Sequence, residues 1–366
     1  MKKKVFVGLS GGVDSAVSAA LLLRDGYDVT GVYIKVWQPD WIECNWKEER
    51  RDAMRVAAHL GIPFVTLDLV KEYKQGVIDY MIKEYSLGRT PNPDVMCNRE
   101  VKFGGFWKWA KAHGADFIAT GHYARVLPVD TKNINYKKVG YYSMLAGVDK
   151  NKDQSYFLWT LNQNDLPHVL FPVGHLLKPK VRKLATKFGL PNSDKKDSQG
   201  LCFIGKVDVK EFLKHYVKTK KGSVLDEDGK VIGIHPGTLL FTIGERHGFT
   251  ITSKGPNDKA YYVIDKDMKK NTITVSRSLK SNRVNNGEVG SPKVASIKIT
   301  RTNWVRSAPA IKEDVMIRIR YRQPLVKATI KNISTLLLEE KIDAVTPGQS
   351  LVVYKDEECL GGGVIF

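Results

Sequence analysis

Residues Gly8-Leu9-Ser10-Gly11-Gly12-Val13-Asp14-Ser15 lie between a short apolar run, Val5-Phe6-Val7, and the apolar stretch Ala16 to Leu23. A glycine- and serine-rich turn between a buried strand and a helix is a place to hold an anion. The glycines let the backbone approach closely, the Ser10 and Ser15 hydroxyls can donate, and the unsatisfied N–H groups at the helix start add partial positive charge. The pattern is distinct from G-x-x-x-x-G-K-[ST], because no lysine follows, and from the dinucleotide pattern G-x-G-x-x-G. A plain turn capping an ordinary helix is the alternative, and the full SGGVDS after an N-terminal strand weighs against it.

The residues that follow alternate between strand and helix. Val29 to Val36 reads as a strand, Lys47 to Leu60 as an amphipathic helix stopped by Gly61-Ile62-Pro63, and Phe64 to Leu69 as a third strand. Tyr73 to Tyr85 and Val101 to His113 read as helices, with a buried strand at Phe117 to Thr120. Such alternation predicts a parallel sheet with helices on both faces and ligands gathered beyond the strands' carboxyl ends. Ser10, Ile34 to Trp37 and Gly121-His122-Tyr123 would then share one rim.

After Gly200 short β-rich runs alternate with turn signals such as Asp228-Gly229, Pro236-Gly237 and Lys254-Gly255-Pro256. The expected organisation is an α/β domain with a parallel sheet over residues 1–204, a small central β-rich domain over 205–280 and a C-terminal antiparallel β-barrel over 281–366. No apolar stretch approaches the roughly 18 residues of a membrane span, and Met1-Lys2-Lys3-Lys4 leads straight into a strand. The expectation is a soluble, cytoplasmic protein without a membrane partner. The four cysteines, Cys44, Cys97, Cys202 and Cys359, are too scattered for a disulfide scaffold, and no C-x-x-C pair suggests structural zinc. A net charge of +19 calls for a polyanionic partner, the bland alternative being a lysine-rich solvated surface.

Two further segments carry chemistry. In Thr90-Pro91-Asn92-Pro93-Asp94-Val95-Met96-Cys97-Asn98, two prolines are expected to stiffen a loop that holds a carboxylate three residues before a thiol. A nearby carboxylate raises a thiol's pKa, so Asp94 reads as a proton acceptor or donor toward substrate. In Asp194 to Ile204, Cys202 follows a lysine-containing polar turn that favours thiolate. Either cysteine alone would more often be a small buried hydrophobe.

The loop is the pattern of ATP-pyrophosphatases, and the stretches SGGVDS, GRTPNPDVMCNREVKF, ATGHYAR, KDQSYFLW, DKKDSQGLCFIG, HPGTLLFTIGERHG, RIRYRQP and TPGQSLVVY widen the match. Across nearly its whole length the chain resembles the tRNA-specific 2-thiouridylases, which place sulfur on C2 of the wobble uridine. The resemblance implies an adenine nucleotide alpha-hydrolase-like N-terminal domain, a small central domain and a C-terminal barrel.

It also implies roles. Gly8, Leu9, Ser10, Gly11, Gly12, Val13, Asp14 and Ser15 would hold the ATP phosphates, with Mg²⁺ offsetting charge, while Ile34 and Gly121 line the adenosine pocket. No protein metal site is expected. Asn92, Pro93 and Asp94 would meet the target base, with Asp94 catalytic, Cys97 the nucleophile and Cys202 the carrier of a persulfide. Lys152, Asp153, Gln154, Arg320 and Tyr321 would contact tRNA, with His122 and Gln349 on the same surface. Asp153 also reads as an N-cap for a helical run from Tyr156 to Leu161. Glu245 stands where the family pattern leads one to expect Gln, and Cys44 and Cys359 read as structural. The implied partners are wobble-uridine tRNAs, such as the Lys, Glu and Gln acceptors, and a sulfur donor such as a cysteine desulfurase or a relay protein. Two rivals remain at this stage. Another ATP-pyrophosphatase would use an amine nucleophile and need no cysteine pair, and a non-catalytic RNA-binding protein would leave both cysteine motifs unexplained.

Overall fold

The computed structural model describes residues 2–41, 46–129, 141–196, 208–252, 259–278, 296–339, 342 and 345–366. Strands β1 (Lys4–Gly8), β2 (Asp28–Lys35), β3 (Phe64–Asp68) and β4 (Phe117–Ala119) lie parallel; a hairpin of β5 (Ala124–Pro128) and β6 (Tyr142–Ala146) leaves the sheet, and β7 (Val169–Leu170) completes it. The order is β3-β2-β1-β4-β7. Alternation along β1 sorts the two faces: Val5 and Val7 pack with Ala16 and Val17 of helix α1 (Val13–Arg24) and with Ala53 and Val56 of α2 (Trp46–Leu60), whereas Phe6 joins the opposite core with Val32, Ile34, Val101 and Phe106. Val5 and Val7 are fully buried, each stabilising the sheet by about 1.5–3 kcal/mol.

A second sheet is built from β8 (Gly222–Leu225), β9 (Val231–His235), β10 (Thr250–Ile251), β11 (Tyr262–Asp267) and β12 (Thr272–Ser276), in the order β10-β9-β8-β12-β11. The Asp228-Gly229 turn joins β8 to β9, with Gly229 at a φ of 84°. Asp208 caps the helix Val209–Lys214 by accepting from Lys210 N (2.7 Å) and Glu211 N (3.3 Å), and that helix buries Phe212 and Leu213.

The terminal strands β13 (Ser296–Trp304), β14 (Asp314–Arg318), β15 (Val326–Asn332), β16 (Thr335–Leu338), β17 (Ser350–Lys355) and β18 (Glu358–Ile365) form a closed antiparallel barrel, because β13 pairs with both β16 and β18. Ile299, Ile317, Ile330, Leu351 and Val353 fill it. The β5–β6 hairpin of the N-terminal half extends this barrel sheet through Leu145 opposite Glu358, and Glu357 accepts from Arg125 and Lys150, both at 2.6 Å. Among the described residues no helix is long and apolar enough to cross a membrane.

Two local expectations are corrected. The segment read as a proline-stiffened loop becomes helical at Pro93 and stays so through residue 112: Asn92 is the N-cap and accepts from Val95 N at 3.3 Å, and Pro93 occupies the first turn, where its missing N–H costs nothing. The run expected to be helical after Asp153 is a single 3₁₀ turn, Ser155–Phe157.

Candidate active site

The loop after β1 owes its shape to its apolar anchors. Leu9 and Val13 turn their side chains into the core, which leaves only their backbone to face a ligand. Gly11 has a φ of 74°, and a Cβ there would stand 2.6 Å from the Glu49 carbonyl oxygen, so only glycine fits. Gly12 caps α1 without help from a side chain. The Ser10 and Ser15 hydroxyls lie 3.3 Å apart, and Ser15 Oγ donates to Gly12 O at 3.0 Å. The two hydroxyls thus sit beside the start of α1, where the dipole and the first-turn N–H groups favour an anion.

Asp14 faces elsewhere. Its carboxylate accepts from Tyr123 OH (2.8 Å) and from Lys178 Nζ (2.7 and 2.8 Å). Asn192 Nδ2 donates to Gly11 O at 3.0 Å, and Lys195 pairs with Asp52 at 2.8 Å. Gly121 packs directly against the start of α1, where a Cβ would lie 2.7 Å from Ser15 N. Ile34 is buried on β2, on the face opposite α1.

Asp94 and Cys97 stand three residues apart on the helix that begins at Pro93, and so share a face. Asp94 is half-buried and Cys97 fully buried. Asn98 donates through Nδ2 to Phe157 O at 3.1 Å, while among the described residues its buried Oδ1 has no hydrogen-bond partner. From Cys97 to Gly105 the helix is wound as a π-helix, and a second π segment, Lys74–Asp79, packs on it closely enough that a Cβ at Gly76 would lie 2.7 Å from Glu100 Cγ. Wide turns of this kind cost helix stability and gather at functional sites.

Through Lys102 the same helix meets His122, the neighbour of the Gly121 that packs on the phosphate loop. Its Nζ lies 3.4 Å from His122 Nε2, and His122 Nδ1 lies 2.7 Å from Thr120 Oγ1. Burial, reinforced by the Lys102 charge, holds the His122 imidazole well below its ordinary range, so it is neutral at physiological pH.

The other expected positions divide into two groups. Gln154 Oε1 accepts from Tyr123 N at 3.0 Å, which ties the 152–154 turn to the residue whose hydroxyl bonds Asp14; Lys152 is half-exposed. Asp153 is buried and accepts from Gly147 N, Ser155 N and Arg318 Nη1 at 3.0, 3.0 and 3.2 Å. Across the barrel rim, Gln349 Nε2 donates to Thr90 O (3.2 Å) and Pro91 O (3.3 Å), and Arg320 Nη2 donates to Ile243 O (2.9 Å) and Thr346 Oγ1 (3.1 Å). Tyr321 packs on Phe157 with ring centroids 4.5 Å apart.

A cleft of about 470 Å³ opens beside Arg320, lined by Tyr85, Lys210, Thr242 and Glu245. Glu245 forms an ion pair with Lys210 there, and burial brings the neighbouring Lys266 down to about 8. Cys359 is buried in β18, and burial pushes its thiol up to about 12, as befits an inert core residue. Cys44 and Cys202 lie outside the described residues.

Lys178, Asn192 and Lys102 were not singled out from the sequence. Tyr123 and Lys102 stand inside stretches already marked by their motifs, whereas Lys178 and Asn192 reach the loop only through the packing of the helix Lys178–Lys187 and the turn after it.

Comparison with known proteins agrees over the whole chain. Residues 3–206 match the family described as the tRNA methyl transferase HUP domain, 210–277 its PRC-barrel domain, and 294–365 the aminomethyltransferase β-barrel domain. The chain is 43% identical to the tRNA-specific 2-thiouridylase MnmA 2 of Geobacillus kaustophilus, over 99% of this chain and 94% of that protein. It is 42% identical to the tRNA-specific 2-thiouridylase MnmA of Shewanella amazonensis, again over 99% and 94%. The enzyme of the same name from Streptococcus agalactiae is 41% identical over 99% of this chain and 95% of its own length.

Proposed function

Because the chain belongs to the tRNA-specific 2-thiouridylase family, we propose that it is a tRNA-uridine 2-sulfurtransferase acting on the wobble uridine of tRNA with consumption of ATP. One observation carries the site assignment. Gly121 packs on Asp14 and Ser15 of the phosphate loop, while the next residue, His122, meets Lys102 on the helix that bears Asp94 and Cys97. The phosphate loop and the thiol-bearing helix are thereby joined across two adjacent residues. The full-length relatives are named for sulfur transfer rather than methyl transfer, and a thiol beside a carboxylate at that junction suits the former.

The loop glycines and the Ser10 and Ser15 hydroxyls fit the phosphates of ATP, with Ile34 and Gly121 toward the adenosine. When bound, ATP supplies the adenylyl group that makes the poor C2 oxygen leaving group of uridine displaceable. Mg²⁺ would be held mainly by the nucleotide's own phosphates, since Asp14, the loop carboxylate, is taken by Lys178 and Tyr123. Asn92, Pro93 and Asp94 face the target base, and Asp94 accepts and returns a proton as C2 is activated.

Cys202 receives sulfur as a persulfide from a donor protein, a cysteine desulfurase or a relay. Cys97 then attacks the Cys202 Sγ. This either frees hydrosulfide for C2 or resolves the adduct left after direct attack by the terminal sulfur. Both routes end in a Cys97–Cys202 disulfide that a thiol reductant must reopen. Lys152, Gln154, Arg320, Tyr321 and Gln349 would lie along the tRNA path, and Asp153 supports it from inside. A wobble base reaches such a pocket only when turned out of its stack.

The test is pyrophosphate release with tRNA transcripts carrying U34 or C34. Release dependent on U34 is expected; release indifferent to the wobble base, or driven by an added amine, would remove the reading.

A further inference from the structure

Lys102 belongs to none of the roles assigned so far, yet it occupies the junction just described. It lies five residues after Cys97. In an α-helix five residues turn the side chain well away from its starting face, whereas the wider π turn between Cys97 and Gly105 brings positions five apart back toward one side. The π segment thus directs Lys102 to the face that carries the thiol. The ammonium can only donate, so His122 Nε2 accepts at 3.4 Å and the Nδ1 proton goes to Thr120 Oγ1 at 2.7 Å. The imidazole is fully enclosed beside Phe103 and Phe171. Being neutral, it holds the lysine in place and adds no charge of its own. Gly121, between Thr120 and His122, bears on Ser15 N and Asp14. Lys102 therefore stands at the junction of the segment that packs on the phosphate loop and the helix that carries Asp94 and Cys97.

We propose that Lys102, held by His122 and Thr120, is a further catalytic residue, whose ammonium contacts the non-bridging oxygens of the ATP α-phosphate. The inference rests on the thiouridylase reading. As the uridine C2 oxygen forms its bond to the α-phosphorus and the bond to pyrophosphate breaks, the leaving pyrophosphate takes the electron pair and the base proton passes to Asp94. Lys102 keeps its proton throughout and offsets the negative charge that builds on the phosphorus oxygens.

The experiment compares wild type, Lys102→Gln and Lys102→Arg. It reads single-turnover pyrophosphate release with U34 tRNA, affinity for α,β-methylene-ATP without tRNA, and the ³¹P resonances of that bound analogue. In Lys102→Gln, release should fall by about a hundredfold or more while analogue affinity changes by less than about tenfold. Lys102→Arg should recover part of the rate and shift the α-phosphorus resonance while leaving the γ-phosphorus unmoved. Wild-type release in Lys102→Gln would overturn the proposal, as would a rate loss no larger than the affinity loss. Should the glutamine variant fail to fold, the arginine variant decides alone: an unmoved α-phosphorus resonance with full activity overturns the role. Absence of 2-thiouridine from the wild-type reaction would instead remove the thiouridylase reading on which the proposal stands.

Discussion

The Gln349 side-chain amide donates to the Thr90 carbonyl oxygen at 3.2 Å and to the next carbonyl, of Pro91, at 3.3 Å. A barrel residue thus fixes the chain immediately ahead of Asn92 and the active-site helix. Thr90 N donates to Pro347 O at 2.9 Å, and its hydroxyl lies 3.0 Å from that of Thr242, in the segment between the central strands β9 and β10. All three parts of the molecule meet at Thr90. Gln349→Ala should slow the tRNA-dependent step by about tenfold, the equivalent of roughly one hydrogen bond, with ATP affinity in the absence of tRNA unchanged. Gly348→Ala should be worse, because Gly348 has a φ of 93° and a Cβ would lie 2.9 Å from both Thr90 N and Thr90 O. Thermal melts and single-turnover rates check both.

Asp94→Asn keeps the side chain's shape and removes its ability to take a proton. A rate loss of about a hundredfold or more is expected, with tRNA affinity little changed. Full activity in this variant would reduce Asp94 to a helix-start residue that only shapes the backbone.

Glu84 links the helix Tyr80–Ser86 to the barrel. Its carboxylate is 1% exposed and pairs with Arg89 and with Arg301 of β13, the latter at 3.2 Å. Burial, the largest single influence, pushes its pKa up, but the two guanidinium groups together pull it below the ordinary 4.5. A depressed folded-state pKa gives stability that is complete above the unfolded value and drains away as pH falls through the folded one. Glu84→Gln should therefore lower the melting temperature near neutral pH, for a loss of about 2 kcal/mol, and should flatten the loss of stability below pH 4.5. Equal acid sensitivity of wild type and variant would show that this junction does not govern the transition.

Salt dependence separates charge that touches RNA from charge that merely solvates. Plots of log K against log salt for tRNA binding should slope by a little under one per phosphate contact, and Lys152→Ala should shallow the slope by up to about one unit. Arg320→Ala should shallow it by a similar amount and weaken binding further at every salt concentration, because its guanidinium also holds Ile243 O and Thr346 Oγ1. Unchanged slopes in both variants would move the tRNA footprint elsewhere.

Local chemistry was the legible part. The loop from Gly8 to Ser15 is readable because close backbone approach to an anion demands glycine, and the parallel sheet follows from alternating runs whose apolar residues, such as Val5 and Val7, face one side. The helix at Pro93 is hard to read from sequence because paired prolines suggest a loop, and only the Asn92 N-cap ahead of Pro93 marks a helix start. What stayed hidden depends on residues far apart in the chain. Nothing local shows that the β5–β6 hairpin will join the barrel through Glu358, that Lys178 will reach Asp14, or that Lys102 will meet His122 across a π turn.

The central claim is sulfur transfer to the wobble uridine through two cysteines. Its most direct test is mass spectrometry of nucleosides from U34 tRNA incubated with protein, ATP, Mg²⁺ and a sulfur donor, using wild type, Cys97→Ser and Cys202→Ser. Wild type should yield 2-thiouridine at position 34, and both variants should yield none over repeated turnovers while still binding ATP, with labelled sulfur appearing on Cys202 rather than Cys97. Multiple-turnover thiolation by either serine variant, or a wild-type product lacking sulfur at C2, would contradict the account.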